Sequence, residues 1–400
     1  MQPALNGDRS GENALEASGI SYAGVYQDDS GIRVFDESRG FDSLLIPRIK
    51  LLYLKELSPR RDKLALSYWR DDAYELSILN LRSFRLASVN LQKRDPKHYG
   101  MSMTWKHDNS TLFFGFHSER KSGQQYILDK SYLYCLLADS MSVKPIAANV
   151  RGVIEGWLSS GFLVLRGSDR HYLVDPESGK IAFILAGKKA NLTYSPNAKK
   201  CFYFHDVEVV THDGRNVRVP ELYVADYDGK NPKKVSDYRY RPERASWSPD
   251  SKMITYVAQS QQWSNIKHLV FYEVESSKTT FAIQLNEPGI RSITDPHWSP
   301  SGRYVVFDRT ADTGDERDFW SASEKVVRDM STGEELTVSS GFINLKYVEQ
   351  SIPAGATLGW FDDENIAFAT TNWVRVFNLP TNKLTTFSSS WMPLHLWQAK

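Results

Sequence analysis

The chain has 400 residues and a formal net charge of +1 at pH 7, with 41% hydrophobic and 12% aromatic residues. This length and apolar content allow a substantial core, and the near-neutral charge gives no overall attraction to nucleic acid or to an anionic membrane. No apolar run approaches the roughly 18 residues of a membrane-spanning helix. We therefore predict no nucleic-acid partner and no insertion into a membrane.

The first 18 residues, MQPALNGDRSGENALEAS, are polar and lack the basic and apolar blocks of a secretory signal. We expect 1–18 to be a flexible polar leader and 19–400 to form one domain. Cys135 and Cys201 fall in separate predicted strands, so we predict two buried free thiols. Free thiols favour a reducing compartment, and we expect the cytoplasm; the periplasm is the alternative if a signal peptide has been removed.

Short β-type runs separated by polar turns begin directly after the leader. Residues 20–23 resemble the second strand of a four-stranded unit, residues 31–35 the third, and residues 41–49 supply a fourth. No equivalent of a first strand precedes them.

A longer pattern then repeats along the chain: an anchor residue, a polar turn and a β-rich run. The anchors are, in chain order, Leu57, Trp105, Trp157, Tyr194, Trp247, Trp298 and Trp360. The 303 residues from the first anchor to the last contain six steps of about 50 residues, the size of a four-stranded propeller blade. A turn-forming Ser-Pro pair follows four anchors, at Ser58-Pro59, Ser195-Pro196, Ser248-Pro249 and Ser299-Pro300.

Residues 221–258 are the best-preserved copy of the pattern, ELYVADYDGKNPKKVSDYRYRPERASWSPDSKMITYVA. Asp228-Gly229 favours a hairpin turn because glycine adopts positive φ without strain. Residues 253–257 are apolar on both faces, which is typical of a strand covered on both sides. We predict that Trp247 packs between two blades.

The two ends of the sequence complement each other. Residues 394–397 resemble one more first strand that ends on an anchor, Trp397, and no further strand follows it. This pattern predicts an all-β fold, a single β-propeller of eight four-stranded blades in which the C-terminal strand completes the N-terminal blade. Such closure removes free sheet edges. Seven blades with a loose N-terminal hairpin are the alternative.

The run LYVADYDGKNPKKVSD followed by WSPDSKMITYVA resembles the repeat of TolB-like β-propellers. Related repeats occur in the propeller domains of prolyl-oligopeptidase-type enzymes, tricorn-type proteases and oligogalacturonate lyases. The resemblance is good from about residue 194 to residue 307 and weak elsewhere. It implies the fold but no single activity, because such folds support many functions.

Four segments between second and third strands are long and are predicted to be loops on one face of the ring. They are residues 117–130, 206–220, 259–267 and 310–319. Long loops on a rigid scaffold often bind partners. Charge is also uneven: residues 48–98 hold 12 Lys and Arg against 6 Asp and Glu, and residues 308–335 hold 4 against 9. The two blocks indicate either an electrically polar ring or solvated outer strands.

Catalytic motifs are absent from the sequence: it has no nucleophile elbow, P-loop, dinucleotide fingerprint, HExxH or CxxC pattern. His205-Asp206, His212-Asp213 and Glu208 are a weak candidate metal set in one predicted loop. The histidine-rich metal set of oligogalacturonate lyases has no residue-by-residue equivalent here. We predict no metal, no cofactor and no catalytic residue, while His297 and His395 either face the channel or bind backbone carbonyls.

The candidate binding site is the channel mouth with its neighbouring loops. Its predicted residues are Tyr99, Tyr240, Arg241, Arg244, Arg291 and Asp295 at the mouth, with Trp263 and Trp320 from the loops. Aromatic residues and arginine are typical interface anchors. Alternatively, Arg244 and Asp295 bridge adjacent blades.

These features favour a non-catalytic scaffold, monomeric on its own, that binds a protein or peptide partner through its loop-rich face and channel mouth. The alternatives are a metal-assisted carbohydrate-active enzyme similar to oligogalacturonate lyases, and a module that binds a glycan or small molecule without turnover.

Overall fold

The computed structural model describes residues 22–47, 49, 51–70, 73–91, 100–122, 125–158, 161–167, 170–186, 192–197, 199–210, 214–236, 240–260, 267–281, 290–312, 320–344, 356–369, 373–388 and 392–398. Within these ranges the chain is almost entirely β-strand, and Glu37–Arg39 form its one helical turn, of the 3-10 type. The strands make eight four-stranded antiparallel sheets, the blades of a β-propeller. The predicted leader lies outside the described residues.

The strands of the first four blades follow the chain. Blade 1 begins with β1 (Tyr22–Asp28), β2 (Gly31–Asp36) and β3 (Phe41–Pro47). Blade 2 contains β4 (Leu51–Leu57), β5 (Lys63–Arg70), β6 (Ala73–Asn80) and β7 (Leu86–Asn90). Blade 3 contains β8 (Gly100–Trp105), β9 (Thr111–Ser122), β10 (Gln125–Leu137) and β11 (Ser142–Val150). Blade 4 contains β12 (Val153–Trp157), β13 (Leu163–Arg166), β14 (Arg170–Val174) and β15 (Ile181–Ala186).

The remaining blades continue in the same order. Blade 5 contains β16 (Thr193–Tyr194), β17 (Lys200–Val210), β18 (Asn216–Asp226) and β19 (Lys233–Lys234). Blade 6 contains β20 (Tyr240–Trp247), β21 (Met253–Ser260), β22 (Lys267–Glu273) and β23 (Lys278–Phe281). Blade 7 contains β24 (Ile290–Trp298), β25 (Tyr304–Asp312), β26 (Trp320–Asp329) and β27 (Glu335–Asn344). Blade 8 contains β28 (Ala356–Trp360), β29 (Asn365–Ala369), β30 (Trp373–Asn378) and β31 (Lys383–Ser388), and β32 (Met392–Gln398) follows it.

The last strand closes the ring. β32 pairs antiparallel with β1, and Ala23 lies opposite Trp397. The first sheet therefore has the order β3-β2-β1-β32, with the C-terminal strand in the innermost position. The predictions of eight blades and of closure by the C-terminal strand are confirmed, and the seven-blade alternative is wrong.

Both faces of each blade are covered by neighbouring blades, so the middle strands are apolar in continuous runs. In β21, Ile254, Tyr256, Val257 and Ala258 are all buried, as predicted for residues 253–257. A strand with one solvated face would instead alternate apolar and polar residues. The core is therefore distributed around the ring in layers between blades.

Three anchor tryptophans make the same contact with the preceding blade. The indole Nε1 of Trp105 donates to the carbonyl oxygen of Glu56 at 3.1 Å. Trp247 donates in the same way to Thr193 at 3.0 Å, and Trp360 donates to His297 at 3.1 Å. Each acceptor directly precedes the anchor of its own blade. The predicted position of Trp247 between blades is confirmed.

The Ser-Pro turns are closed by their serines. The hydroxyl of Ser248 accepts a hydrogen bond from the amide of Met253 at 2.9 Å, and Ser299 accepts from Tyr304 at 3.1 Å. The fourth residue of these two turns has positive φ, at 66° for Ser251 and 79° for Gly302. Because Ser-Pro turns follow the inner strands of blades 2, 5, 6 and 7, they mark one face of the ring, the Ser-Pro face.

Two of the predicted long loops and the first residues of a third are extensions of β-hairpins on the opposite face, while residues 313–319 lie outside the described residues. The β9–β10 ladder continues to Ser122, the β17–β18 ladder to Val210 and the β25–β26 ladder to Asp312. In β17 and β18 the valines alternate with polar residues, and this period of two sustains a strand. The loop prediction was wrong at these positions because polar content was weighted above alternation. In the remaining predicted loop, 259–267, residues 261–266 lie outside the described residues.

No helix among the described residues is long and apolar enough to cross a membrane.

Candidate functional site

The predicted site residues fall into three groups. Tyr99 and Trp263 lie outside the described residues. The backbones of Tyr240, Arg291 and Trp320 lie in β20, β24 and β26, but their side chains lie outside the described part of the chain. Arg241, Arg244 and Asp295 are described in full, and the structure brings the last two together.

Arg244 and Asp295 occupy equivalent β-bulges on the inner strands of adjacent blades. In β20 the register skips from Glu243 to Ser246, so two residues lie opposite one residue of β21. β24 has the same irregularity between Thr294 and His297. Arg244 has a φ of 47° and Asp295 a φ of 56°, a left-handed conformation that is uncommon outside glycine. Bulges of this kind redirect a side chain, often beside a functional site.

The two redirected side chains form an ion pair between blades 6 and 7. Arg244 Nη1 lies 3.3 Å from Asp295 Oδ1, and His297 Nε2 lies 3.1 Å from the same oxygen. The pKa of Asp295 lies below its ordinary value, chiefly because His297 donates a hydrogen bond to it. The positive charges of Arg244 and Lys325 contribute to the same effect. Asp295 is therefore ionised at neutral pH, and the bridging alternative is the arrangement that the structure shows.

A second ion pair lies behind the first. Lys325 is fully buried in β26 and pairs with Asp308 of the neighbouring strand β25. Burial raises the pKa of Asp308, and the charge of Lys325 opposes that rise only in part. This pair was not among the residues predicted from the sequence. Its signal was an opposite charge at facing positions of two otherwise apolar runs, VVFD and EKVV.

A third set extends the charge along β20. Glu243 lies 3.0 Å from Lys267 and 3.8 Å from Arg241. Together these charged side chains form one group between blades 6 and 7, which we call the blade 6–7 charged cluster. It consists of Arg241, Glu243, Arg244, Lys267, Asp295, His297, Asp308 and Lys325. The side chains of Arg241 and Arg244 are 58% and 66% exposed, so these two arginines are its solvent-facing members.

The cluster adjoins a cavity on the ring axis at the Ser-Pro face. Its volume is about 660 Å³, and blades 2, 5, 6, 7 and 8 all contribute to its wall. We call it the channel cavity. His297 lines it, and the imidazole contacts the Asp295 carboxylate rather than a backbone carbonyl.

The described residues form neither a metal site nor a catalytic triad around this cluster. Within the described ranges, no three His, Cys, Asp or Glu side chains are grouped as ligands for one metal ion. His205, Asp206 and Glu208 lie in strand β17 rather than in a loop, and His212 and Asp213 lie outside the described residues. His297 is oriented by a carboxylate, as in catalytic triads. No serine, threonine or cysteine among the described residues completes such a triad by a hydrogen bond to it.

Neither a family model nor a curated protein matches the sequence. Several solved structures are similar to the chain. The chain is similar to dipeptidyl peptidase 4 from Porphyromonas gingivalis, with 13% identity over 79% of this chain and a TM-score of 0.53. It spans 48%, about half, of the length of that peptidase.

Two further structures match over most of both chains. An oligogalacturonate lyase from Vibrio parahaemolyticus is 14% identical, with 87% of this chain and 93% of that chain covered and a TM-score of 0.50. A structure described as the eukaryotic initiation factor is 10% identical, with 95% and 98% covered and a TM-score of 0.53.

TolB from Acinetobacter baumannii also matches, with 14% identity over 81% of each chain and a TM-score of 0.37, which is too low to carry an argument. The matched proteins have unrelated functions, and all are below 15% identity. These likenesses show the β-propeller fold alone.

Proposed function

We propose that this propeller is a non-catalytic module that binds a protein or peptide partner through the exposed arginines of the blade 6–7 charged cluster. The observation that carries the proposal is the placement of Arg241 and Arg244. Both are exposed, and both are held at their inner side by a carboxylate, Glu243 or Asp295. Arginine held in this way retains free N–H donors for a partner and loses less side-chain entropy on binding.

The charge of the cluster indicates what kind of partner segment it would hold. The cluster contains four cations, Arg241, Arg244, Lys267 and Lys325, and three carboxylates. Its most exposed side chains are cationic, because Arg241 and Arg244 are more exposed than the carboxylates they contact. A guanidinium fork matches a carboxylate or phosphate with two parallel hydrogen bonds. The partner segment is therefore expected to be acidic.

The carbohydrate-active alternative requires metal ligands that converge on one point. The described residues do not group such ligands, and the blade 6–7 cluster already uses its carboxylates in ion pairs. The binding role therefore has the stronger support of the two.

The proposal is tested by photo-crosslinking from the cluster itself. A photoreactive amino acid at position 241 is expected to crosslink one partner in extract of the source cells, and the same residue at the outer-strand position 384 is not. Charge reversal of both arginines, R241E/R244E, is expected to abolish capture of that partner, because attraction becomes repulsion.

A matched control separates the site from net charge. Arg82 and Arg85 are exposed on the β6–β7 turn of blade 2, and R82E/R85E changes the net charge of the chain by the same amount. Capture retained by this control and lost in R241E/R244E supports the proposal, provided that both variants unfold at the wild-type temperature. Capture unaffected by R241E/R244E, or lost equally in both variants, contradicts it.

A further inference from the structure

We infer that the channel cavity at the Ser-Pro face is a separate binding site, for a carboxylate carried on an apolar or aromatic body. The inference uses residues other than the exposed arginines above and does not depend on the proposed partner.

The wall of the channel cavity is mainly aromatic and apolar. Three tryptophans, Trp247, Trp298 and Trp360, line it together with the prolines of the Ser-Pro turns. Its volume of about 660 Å³ lies within the roughly 300–1,000 Å³ range of ligand pockets. Tryptophan rings on several sides of a cavity provide large rigid contact area for an apolar group.

The charge in this wall is positive. Among the described residues that line it, Arg61 and His297 are ionisable, and none is an aspartate or a glutamate. His297 is already paired with Asp295. Arg61 Nη2 donates to the carbonyl oxygen of Trp360 at 3.1 Å, which leaves the other guanidinium donors for an anion.

Two carboxylates outside the wall lie near Arg61, but each makes hydrogen bonds elsewhere. Asp362 accepts from the backbone amide of Asn365 at 2.7 Å and from its side-chain amide at 2.9 Å. Asp363 accepts from the amide of Ser301 at 2.8 Å. Neither lines the cavity, so neither occupies the place of an anion within it.

The backbone at Arg61 is unusual for so long a side chain. Arg61 is the fourth residue of its turn and has a φ of 57°, the left-handed conformation that glycine and asparagine adopt most readily. The left-handed residues at the same place in blades 3, 4, 6 and 7, Asn109, Gly161, Ser251 and Gly302, are all small. An arginine at a left-handed position that these four blades fill with small residues points to a role beyond the turn itself.

Unused donors lie in the same wall. The indole Nε1 of Trp298 and the hydroxyl of Ser246 are buried and have no hydrogen-bond partner among the described residues. Trp105, Trp247 and Trp360 all use the equivalent N–H for a carbonyl oxygen. A buried donor without an acceptor costs about 1–3 kcal/mol. Both atoms lie beneath the cavity surface, so Arg61 supplies the donors that face a ligand. A ligand that offers acceptor oxygens, as a carboxylate does, suits that cation.

Such a ligand has two possible sources, a free organic acid and the C-terminus of a peptide. The test therefore uses 3-phenylpropionate and an acetylated hexapeptide that ends in phenylalanine, each compared with its neutral amide. Calorimetric titration and the fluorescence of the wall tryptophans report binding. We expect at least one of the two acids to bind, and its amide to bind at least tenfold more weakly.

The variant Arg61→Gln removes the charge and keeps a donor for the Trp360 carbonyl. It is expected to weaken binding of the acid about 10- to 100-fold, the effect of losing one charge-assisted hydrogen bond. Arg60→Gln is the control, because Arg60 is the adjacent exposed residue of the same turn and does not line the cavity.

Equal affinity for an acid and its amide overturns the inference, as does unchanged binding by Arg61→Gln or the absence of binding by both acids. Should Arg61→Gln fail to fold, the comparison of acid with amide on the unmodified protein still decides. Binding by only one of the two acids identifies the source.

Discussion

The seam between blades 7 and 8 and the seam between blades 6 and 7 are built from equivalent residues but are held in different ways. At the first, Trp360 stacks near Tyr304, and its N–H binds the carbonyl oxygen of His297. At the second, Trp298 packs against Phe271, and its N–H has no partner among the described residues. An ion pair between two bulges, Arg244 with Asp295, joins the inner strands there.

The difference shows that a blade can lack the hydrogen bond from its anchor indole N–H to the preceding blade where its inner strand carries charged side chains. Each tryptophan has an aromatic neighbour about 6 Å away, stacked on Trp360 and edge-on to Trp298. The seam between blades 6 and 7 keeps a buried polar group unsatisfied and adds charged side chains on the same strands. Natural proteins usually depart from their own structural rules at functional sites.

The largest expected effect comes from the buried ion pair behind that seam. Lys325→Met leaves Asp308 without its fully buried cation and is expected to destabilise the protein by about 3–5 kcal/mol, measured by urea unfolding. The double change K325M/D308L removes both charges and is expected to recover most of that loss. Lys267→Met is the matched control, because Lys267 is partly exposed where Lys325 is fully buried, and pairs near the surface contribute about 1 kcal/mol or less.

A loss of the same size in Lys267→Met, or no recovery in the double variant, would show that the buried pair is not what distinguishes this seam.

The fold was more predictable from the sequence than this pair was. The anchors from Leu57 to Trp360 recur about every 50 residues, and each anchors a turn and a strand of the same kind. A recurring local pattern predicts the number of blades because each copy of the anchor, turn and strand corresponds to one blade. Trp397 and residues 20–23 complete each other for the same reason, as the pairing of β32 with β1 shows.

The candidate site could be predicted only in part. Arg244 and Asp295 stood out because each lies three residues before an anchor tryptophan. Their bulges and the pairing of Asp308 with Lys325 depend on register between strands, which single residues do not reveal. The sequence predicts loops where blades 3, 5 and 7 extend their hairpins, because these strand extensions are rich in polar residues.

The next effect concerns pH at a seam of the first kind, where Trp105 binds the carbonyl oxygen of Glu56. Burial raises the pKa of the Glu56 carboxyl to about 7. A carboxyl with a raised folded-state pKa favours the folded state when it is protonated. Its contribution is complete below the unfolded pKa of about 4.5 and is lost as the pH rises to about 7.

Glu56→Gln mimics the protonated side chain at every pH. It is expected to stabilise the protein by about 3 kcal/mol at pH 8, where Glu56 is ionised, and by nothing at pH 4.5. Urea unfolding of both proteins across this range measures the difference. A stability difference that does not change with pH would mean that Glu56 is not buried in this way.

The smallest expected effect compares the two seams directly by one substitution at each. Trp360→Phe removes the donor that binds the His297 carbonyl and leaves that buried oxygen without it, at a cost of about 1–3 kcal/mol beyond the lost ring area. Trp298→Phe makes the same change of ring at a less buried tryptophan, and it removes a buried N–H that has no described partner. Relief of that unsatisfied donor offsets the loss of packing.

Trp298→Phe is therefore expected to destabilise the protein by at least about 1 kcal/mol less than Trp360→Phe. The midpoints of urea unfolding measure this difference if the dependence on urea concentration is the same for both variants. Phenylalanine keeps an aromatic ring against Phe271 or Tyr304 in each case, so the comparison isolates the indole N–H. Equal destabilisation would place a hydrogen-bond acceptor at Trp298 as well, and the two seams would then be held in the same way.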